Sequence, residues 1–419
     1  MVSRRTEGRD LPAATVAFCR DVVAGRTPGP LPDSAVQRAQ LLVVLEVHRL
    51  LGLWHTLARS GGGAGSSPLD DPGEATASSA DRPEVDSVTP RITLQALRGS
   101  LTLEAADRAS ETLRGAGFDV VVFKGAGLIR SGVYPDCRAR AMGDADLLMR
   151  GGDPAEAVAA LEQAGFTPWV PWEPGRDAWL PACALADARA PAELEVTIDL
   201  HWRIPYGSFR SGEGERDQSA LWEDADLAAG QLSPEVHALL LAEHFVRHLR
   251  VVPHLMGIAD LVRLLPAVRD PVRLRALAQR RGSLRMLRGV LSFVEHEIGV
   301  PLDPVLVEVI GVPRQARMSR SVGLRLEDLL ASGGQRLQGR VRGLVGQFSL
   351  QWSVPDMMRE LVRVAFPSSA WLAGRAGSGS RGAIHDRLGY WRDLLSWAAG
   401  RSGSPLSPNQ EFEGPTGRH

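Results

Sequence analysis

Two aspartates one residue apart, Asp144 and Asp146, have the most specific chemical spacing in this sequence. They precede the apolar run Leu147, Leu148 and Met149, which predicts a buried strand. Because alternate side chains of a strand share a face, both carboxylates are expected to point the same way. Two adjacent like charges are unfavourable unless a cation lies between them. The pair therefore predicts a site for a divalent metal ion.

A glycine turn upstream of this pair is a candidate phosphate site. The apolar run 120–123 ends at Lys124, Gly125, Ala126 and Gly127, after which a short helix is expected. A strand, a glycine turn and a helix N-terminus can bring backbone amides to a phosphate. Lys124 is the only lysine among the 48 lysine and arginine residues. Its compact charge suits a phosphate site, and chance placement at a strand end is the alternative.

These motifs resemble the DNA polymerase β-type nucleotidyltransferase superfamily, in which a strand, a glycine turn and a short helix precede an Asp-x-Asp strand. The resemblance is closer to a branch of uncharacterised bacterial nucleotidyltransferases with four ordered elements. In this chain they are Lys124-Gly125-Ala126, Tyr134-Pro135, Arg140 and Asp144-Ala145-Asp146. Where the superfamily commonly has a serine after the glycine, this chain has Ala126, so Lys124 or Arg140 would take over that contact with the triphosphate.

The resemblance implies a third carboxylate on a later strand. Residues 194–204 alternate polar and apolar side chains, which is the period of a half-buried strand, and they place Asp199 in this role. His201 shares the face of Asp199 and is expected to hydrogen-bond substrate or to orient a carboxylate. A strand-end histidine with a water or backbone partner is the alternative.

The resemblance also implies a fold, a reaction and a set of site residues. The expected fold is α+β, a small mixed and mostly antiparallel sheet with flanking helices, followed by an all-α C-terminal region. The expected reaction moves a nucleoside monophosphate from a nucleoside triphosphate to a hydroxyl of a small molecule or protein. Asp144, Asp146 and Asp199 would be catalytic and would bind Mg²⁺, with room for a second ion. The nucleotide would be held by Lys124, Gly125, Ala126, Arg140 and His201.

Two features leave alternatives open. Arg140 would either contact phosphate or brace its loop by pairing with Asp136. His244 and His248 have a spacing that could hold a metal, although a polar helix face is the favoured interpretation. Together with Asp260 they resemble the helical region of the family, without a role that the sequence defines.

The amino-acid composition argues against several classes of protein. The chain has 419 residues, 44% hydrophobic content and a formal net charge of −1, so no global field recruits nucleic acid or an anionic membrane. Its three cysteines, Cys19, Cys137 and Cys183, are too scattered for a disulfide framework or zinc ribbon. We recognise no signal peptide and no apolar run of about 18–20 residues that would span a bilayer. The expected location is the cytoplasm.

Changes in composition predict the domain organisation. We expect an N-terminal helical segment (1–59, with one packed helix over 35–59), a disordered linker (60–90), a nucleotidyltransferase core (91–230), a helical domain (231–399) and a flexible tail (400–419).

Other functions remain compatible with these residues. The chain could be a catalytically silent nucleotide-binding or antitoxin-like module, or a metal-dependent phosphohydrolase, because carboxylate clusters also serve hydrolysis. The three aspartates could also be unrelated turn and strand-end acids.

Overall fold

The computed structural model describes residues 11–59, 82–170, 172, 182–204, 218–249, 254–313, 325–331 and 387–392. The predicted tail (400–419) and the predicted linker up to residue 81 lie outside these ranges.

Five strands form one mixed sheet in the order β1-β2-β5-β4-β3. They are β1 (Asp119–Phe123), β2 (Asp144–Arg150), β3 (Phe166–Pro168), β4 (Ala182–Asp187) and β5 (Thr197–His201). Strands β2 and β5 are parallel, and the other three neighbouring pairs are antiparallel. The predicted sheet, small, mixed and mostly antiparallel, is confirmed.

Helices cover both faces of the sheet and form most of the rest of the described chain. They are α1 (Ala13–Ala24), α2 (Ala35–Val47), α3 (Leu51–Arg59), α4 (Arg82–Gly115), α5 (Lys124–Arg130), α6 (Pro154–Gln163), α7 (Pro234–His248), α8 (Met256–Leu264), α9 (Pro271–Arg280), α10 (Leu284–Phe293), α11 (Pro304–Ile310) and α12 (Leu326–Ala331). A π-helical turn, Val294–Ile298, follows α10. Within the described part of residues 233–331 every named element is helical, which confirms the predicted all-α region after the sheet.

The sheet separates two hydrophobic cores. On one face, Leu147 and Met149 of β2 pack with apolar residues of α4 and α6. On the other face, Leu148 belongs to a larger core with α7, α8 and the N-terminal helices. Side chains of β2 alternate between the faces, so Asp144 and Asp146 share the face of Leu148. The candidate site therefore lies on the face of the sheet that α7 covers.

Two segments differ from the sequence prediction. The single helix expected over 35–59 is broken between α2 and α3, which are bent by 114°, and Arg49 there has a left-handed φ of 59°. The linker expected over 60–90 is wrong at its end, because α4 begins at Arg82 and its buried Val85 and Val88 recur at helical spacing.

Within the described ranges, no single helix is long and apolar enough to cross a membrane. Helices α2 and α3 taken together are long and apolar enough, but the chain bends by 114° between them.

Candidate active site

The parallel pairing of β2 with β5 brings the predicted carboxylates together. The register places Asp146 directly beside Asp199, with Asp144 two residues before Asp146 and His201 two residues after Asp199. Ligand atoms of Asp146, Asp199 and His201 all lie within 4.8 Å of one another, which suits a metal ion. Asp144 is exposed at the start of β2 and is not part of this tight group. Its charge nevertheless acts on Asp199, as described below.

Lys124 reaches the same carboxylate group from the neighbouring strand. It follows β1 directly, and β1 pairs with β2 so that Phe123 lies beside Asp146. The Nζ atom of Lys124 donates to Oδ1 of Asp146. Lys124 has a left-handed φ of 52°, which is unfavourable for a residue with a Cβ atom and is found most often at functional sites. The single lysine of the chain therefore partly neutralises the carboxylate cluster.

His201 orients Asp146 by a hydrogen bond. Its Nε2 lies 3.0 Å from Oδ1 of Asp146, the oxygen that Lys124 also contacts. Among the described residues no hydrogen bond to Oδ2 of Asp146 is found, so this oxygen is available to a metal. Nδ1 of His201 is buried without a hydrogen-bond partner in the described ranges. Of the roles predicted for His201, this contact matches the orientation of a carboxylate.

Burial and neighbouring charges shift the pKa values of the site in opposite directions. Burial, followed by the charges of Asp144 and Asp146, raises the pKa of Asp199 well above its usual value. Burial also opposes ionisation of Asp146, but the charge of Lys124 and the hydrogen bond from His201 outweigh it and lower that pKa. Burial lowers the pKa of His201, so this imidazole is neutral near pH 7. Asp199 thus lacks a cation, and a divalent metal ion would supply one.

The glycine turn is shaped by its close neighbours. A Cβ atom on Gly125 would lie 3.2 Å from the guanidinium of Arg140, and one on Gly127 would lie 2.7 Å from the carbonyl oxygen of Val122. Gly127 therefore has no room for a side chain against the end of β1, whereas a side chain at position 125 would press on Arg140. Ala126 is 1% exposed and packs in the core beneath the sheet, so only its backbone can contact a ligand.

Arg140 braces the loop before β2, with a partner different from the one predicted. Its Nε and Nη2 atoms donate to the two carboxylate oxygens of Asp260 in α8, at 2.8 and 2.9 Å. Asp136 instead accepts from the backbone amides of Arg138 and Ala139. The predicted pairing of Arg140 with Asp136 is therefore wrong, because Asp136 caps its own turn.

Tyr134 completes this contact between the sheet and the helical region. Its hydroxyl donates to Oδ1 of Asp260 at 2.8 Å. Burial, followed by the charge of Asp260, raises the pKa of Tyr134 well above its usual value, so the hydroxyl keeps its proton and donates. The tyrosine, the arginine and the aspartate, far apart in sequence, form one buried cluster.

Three arginines near the carboxylates were missed by the sequence analysis. Arg98 of α4 donates to the carbonyl oxygens of Gly143 and Glu195, which precede the two strands that carry the acids. Arg49, in the turn between α2 and α3, interacts electrostatically with Asp144. Arg247 of α7 interacts in the same way with Asp146 and with His201. No spacing signal in an arginine-rich sequence distinguishes these three from the others.

The histidine pair on α7 does not form a metal site with other described residues. The rings of His244 and His248 lie 4.2 Å apart, but no third histidine, cysteine or acid joins them in a metal-compatible group there. Burial, followed by the charge of Lys124, lowers the pKa of His244 well below its usual value. His244 is therefore a neutral residue facing the site.

Comparison with known proteins identifies the family. The family model described as uncharacterised nucleotidyltransferase matches residues 35–298, well over half of the chain. The chain belongs to this family. The match runs from α2 to the end of the π-helical turn, so it includes the sheet, the carboxylates and Asp260. Comparisons with curated proteins and with solved structures find no match.

Membership of the nucleotidyltransferase family confirms the resemblance seen in the sequence. It identifies the chain as a transferase enzyme and implies a nucleoside triphosphate as substrate. The cluster of Asp146, Asp199 and His201 provides a plausible place for the divalent metal that such enzymes generally use.

Proposed function

We propose that this protein transfers a nucleoside monophosphate from a nucleoside triphosphate to a hydroxyl of a small molecule or a protein, with Mg²⁺ as cofactor. The observation that carries the proposal is the cluster of carboxylates, Asp146 beside Asp199 with Asp144 adjacent, contacted by the only lysine of the chain. A nucleotidyltransferase needs carboxylates that bind a metal ion together with a cationic side chain that binds phosphate.

Asp144, Asp146 and Asp199 would hold the metal ion. Their carboxylate oxygens are the hard ligands that Mg²⁺ prefers, and Oδ2 of Asp146 is available for it. Bound there, Mg²⁺ would neutralise phosphate charge and lower the pKa of the acceptor hydroxyl. The metal would also favour the ionised form of Asp199, because its charge would offset the effects of burial and of the neighbouring carboxylates.

The chain itself would position the substrates. Lys124 would bind non-bridging phosphate oxygens while His201 keeps the carboxylate of Asp146 oriented. The amides near Gly125 would contact the same phosphates. In the reaction, the acceptor oxygen gains a bond to the α-phosphorus and loses its proton, and the bond from that phosphorus to pyrophosphate breaks. Alignment and charge neutralisation would supply most of the rate enhancement.

The acceptor is proposed to be a small molecule or a protein because the net charge of −1 gives no general attraction for a polynucleotide. Ala126 at the position of the superfamily's serine is a second departure from polymerase-like members. In this chain Lys124 would supply the phosphate contact, because the guanidinium of Arg140 already pairs with Asp260.

Isothermal titration with each of the four ribonucleoside triphosphates, with and without Mg²⁺, tests the proposal. We expect one or more to bind only with Mg²⁺, and we expect the Asp144→Ala, Asp146→Ala double variant to lose that binding. Asp119→Ala, an exposed acid at the far end of the same sheet, is the control that should bind normally.

Labelled substrate then separates the candidate reactions. Incubation with α-³²P-labelled triphosphate and cell extract should leave label covalently attached to an acceptor and release unlabelled pyrophosphate. Label that appears only in free nucleoside monophosphate or diphosphate would indicate hydrolysis. Binding without turnover would indicate a silent module. Absence of binding by every triphosphate would refute the proposal.

A further inference from the structure

Helix α7 borders the candidate site along much of its length. Near its start, the His237 ring comes within 3.2 Å of where a Cβ atom on Gly127 would lie, at the glycine turn. Ten residues later, about 15 Å along the helix axis, lies Arg247. The carboxylates project from the face of the sheet whose core includes α7, because Leu148 shares their face of β2 and belongs to that core. This arrangement brings Arg247 within electrostatic range of Asp146.

The guanidinium of Arg247 lacks an acceptor among the described residues. It makes no hydrogen bond or ion pair there, although it is half-buried. Other half-buried or buried arginines of the helical region all have one: Arg263 donates to the carbonyl oxygen of Val23, Arg275 to that of Val309, Arg288 to that of Ile310 and Arg281 to Glu243. Arg247 therefore differs from these arginines in having no acceptor within the described ranges.

The acid nearest to Arg247 along the helix is already occupied. Glu243, one turn earlier, accepts from Nε and Nη2 of the buried Arg281 at 3.0 and 2.8 Å, and its Oε1 also accepts from Ser283 at 2.5 Å. On the other side, Oδ1 of Asp146 is held by Lys124 and His201. Neither nearby acid is therefore available as an acceptor for Arg247, and its acceptor must come from outside the described chain.

A triphosphate could supply the hydrogen-bond acceptors that Arg247 lacks among the described residues. It brings several negative charges to a site where Lys124 is the only cation in contact with the carboxylates among the residues that the structure describes. A guanidinium presents donors in a planar fork that matches two oxygens of one phosphate. Relying on the proposed function, we propose that Arg247 binds the β- or γ-phosphate of the nucleotide together with Lys124. Helix α7 is then a wall of the nucleotide site, and the helical region takes part in substrate binding.

Titration with the four α,β-methylene ribonucleoside triphosphates and the corresponding monophosphates, all with Mg²⁺, tests this assignment. We expect Arg247→Ala to weaken triphosphate binding about 10- to 100-fold, the range for losing a charge-assisted hydrogen bond. Monophosphate binding should change less than about twofold, because the lost contact lies beyond the α-phosphate. Arg247→Lys should be intermediate, since it keeps the charge and loses the fork.

Controls separate this assignment from the proposed function. Arg91→Ala, in an exposed ion pair with Glu46, should bind like wild type. Thermal unfolding without nucleotide should be unchanged in Arg247→Ala, and Arg247→Gln replaces it if the alanine variant fails to fold. Wild-type binding that persists unchanged in the variant, or an equal loss for triphosphate and monophosphate, would overturn the role of Arg247 alone. A wild type that binds no triphosphate would overturn both proposals.

Discussion

Removal of the carboxylate of Asp260 is expected to destabilise the whole protein. This residue is 1% exposed in α8 and accepts three hydrogen bonds, two from Arg140 and one from Tyr134. In Asp260→Ala the guanidinium of Arg140, whose side chain is only 12% exposed, would remain in the interior without a counter-charge.

The size of the effect follows from this burial. Breaking a buried ion pair by removing one partner costs about 3–5 kcal/mol, because the other charge stays desolvated. For a domain of 150–250 residues each kcal/mol lowers the melting temperature by about 2–4 °C, so we expect a decrease of about 6–20 °C. The exposed pair of Arg91 and Glu46 provides the comparison, since such pairs contribute about 0–1 kcal/mol.

Thermal and urea unfolding of Asp260→Ala, Glu46→Ala and wild type would measure this difference. A loss in Asp260→Ala no larger than that in Glu46→Ala would refute the reasoning. The melting experiment should be done without nucleotide, because bound ligand would stabilise the folded state by mass action.

A double variant separates the two roles predicted for Arg140. Replacing both partners, as in Arg140→Met with Asp260→Leu, removes the unpaired charge and should recover most of the stability lost in Asp260→Ala. Full recovery is not expected, since the hydroxyl of Tyr134 keeps only the weak sulfur acceptor of Met256. Adding Tyr134→Phe should restore the remainder. If Arg140 only braces the loop, this stabilised variant should bind triphosphate nearly as well as wild type. A loss of more than about tenfold would show that Arg140 also contacts phosphate.

Three further predictions concern the site itself. Asp199→Asn should raise the melting temperature of the metal-free protein at pH 7.5. Because the pKa of Asp199 is raised in the folded state, folding at this pH either takes up a proton or buries the ionised carboxylate, and both reduce stability. An unchanged or lower melting temperature would contradict this. Binding of Mn²⁺, followed by electron paramagnetic resonance, should weaken as the pH falls from 7.5 towards 5, because the raised pKa of Asp199 lets protons compete with the metal for its carboxylate. A pH-independent affinity would show that this residue is not a ligand. Gly127→Ala should destabilise the protein by about 1–3 kcal/mol in urea unfolding, because its Cβ atom would lie 2.7 Å from the carbonyl oxygen of Val122. Gly132→Ala provides a comparison. No atom lies within 4 Å of a Cβ atom there but φ is 75°, so this variant reports the cost of backbone strain alone.

Several parts of the fold followed from local sequence signals. The continuous apolar run after Asp146 gave β2, and Pro154 and Pro234, each after a side chain that caps the first turn, gave the starts of α6 and α7. The break between α2 and α3 did not follow, because the periodicity of 35–59 is helical throughout and only packing reveals the left-handed Arg49. A close contact nearby, with Gly52 against the carbonyl of Arg138, shows that tertiary packing constrains the start of α3.

The sequence by itself determined the chemistry of the site, because residue type and spacing are local properties. The Asp-x-Asp pattern, the alternation around Asp199 and the single Lys124 are sufficient to indicate carboxylates, a metal and phosphate. Only the tertiary structure decided what surrounds them. Asp146 and Asp199 are neighbours because β2 pairs with β5. Neither strand's sequence specifies which strand it pairs with. Arg140 pairs with Asp260, which lies 120 residues later in α8. Arg247 was identified as a candidate only from the position of α7 beside the sheet. Contacts between such distant segments depend on the packing of the whole chain.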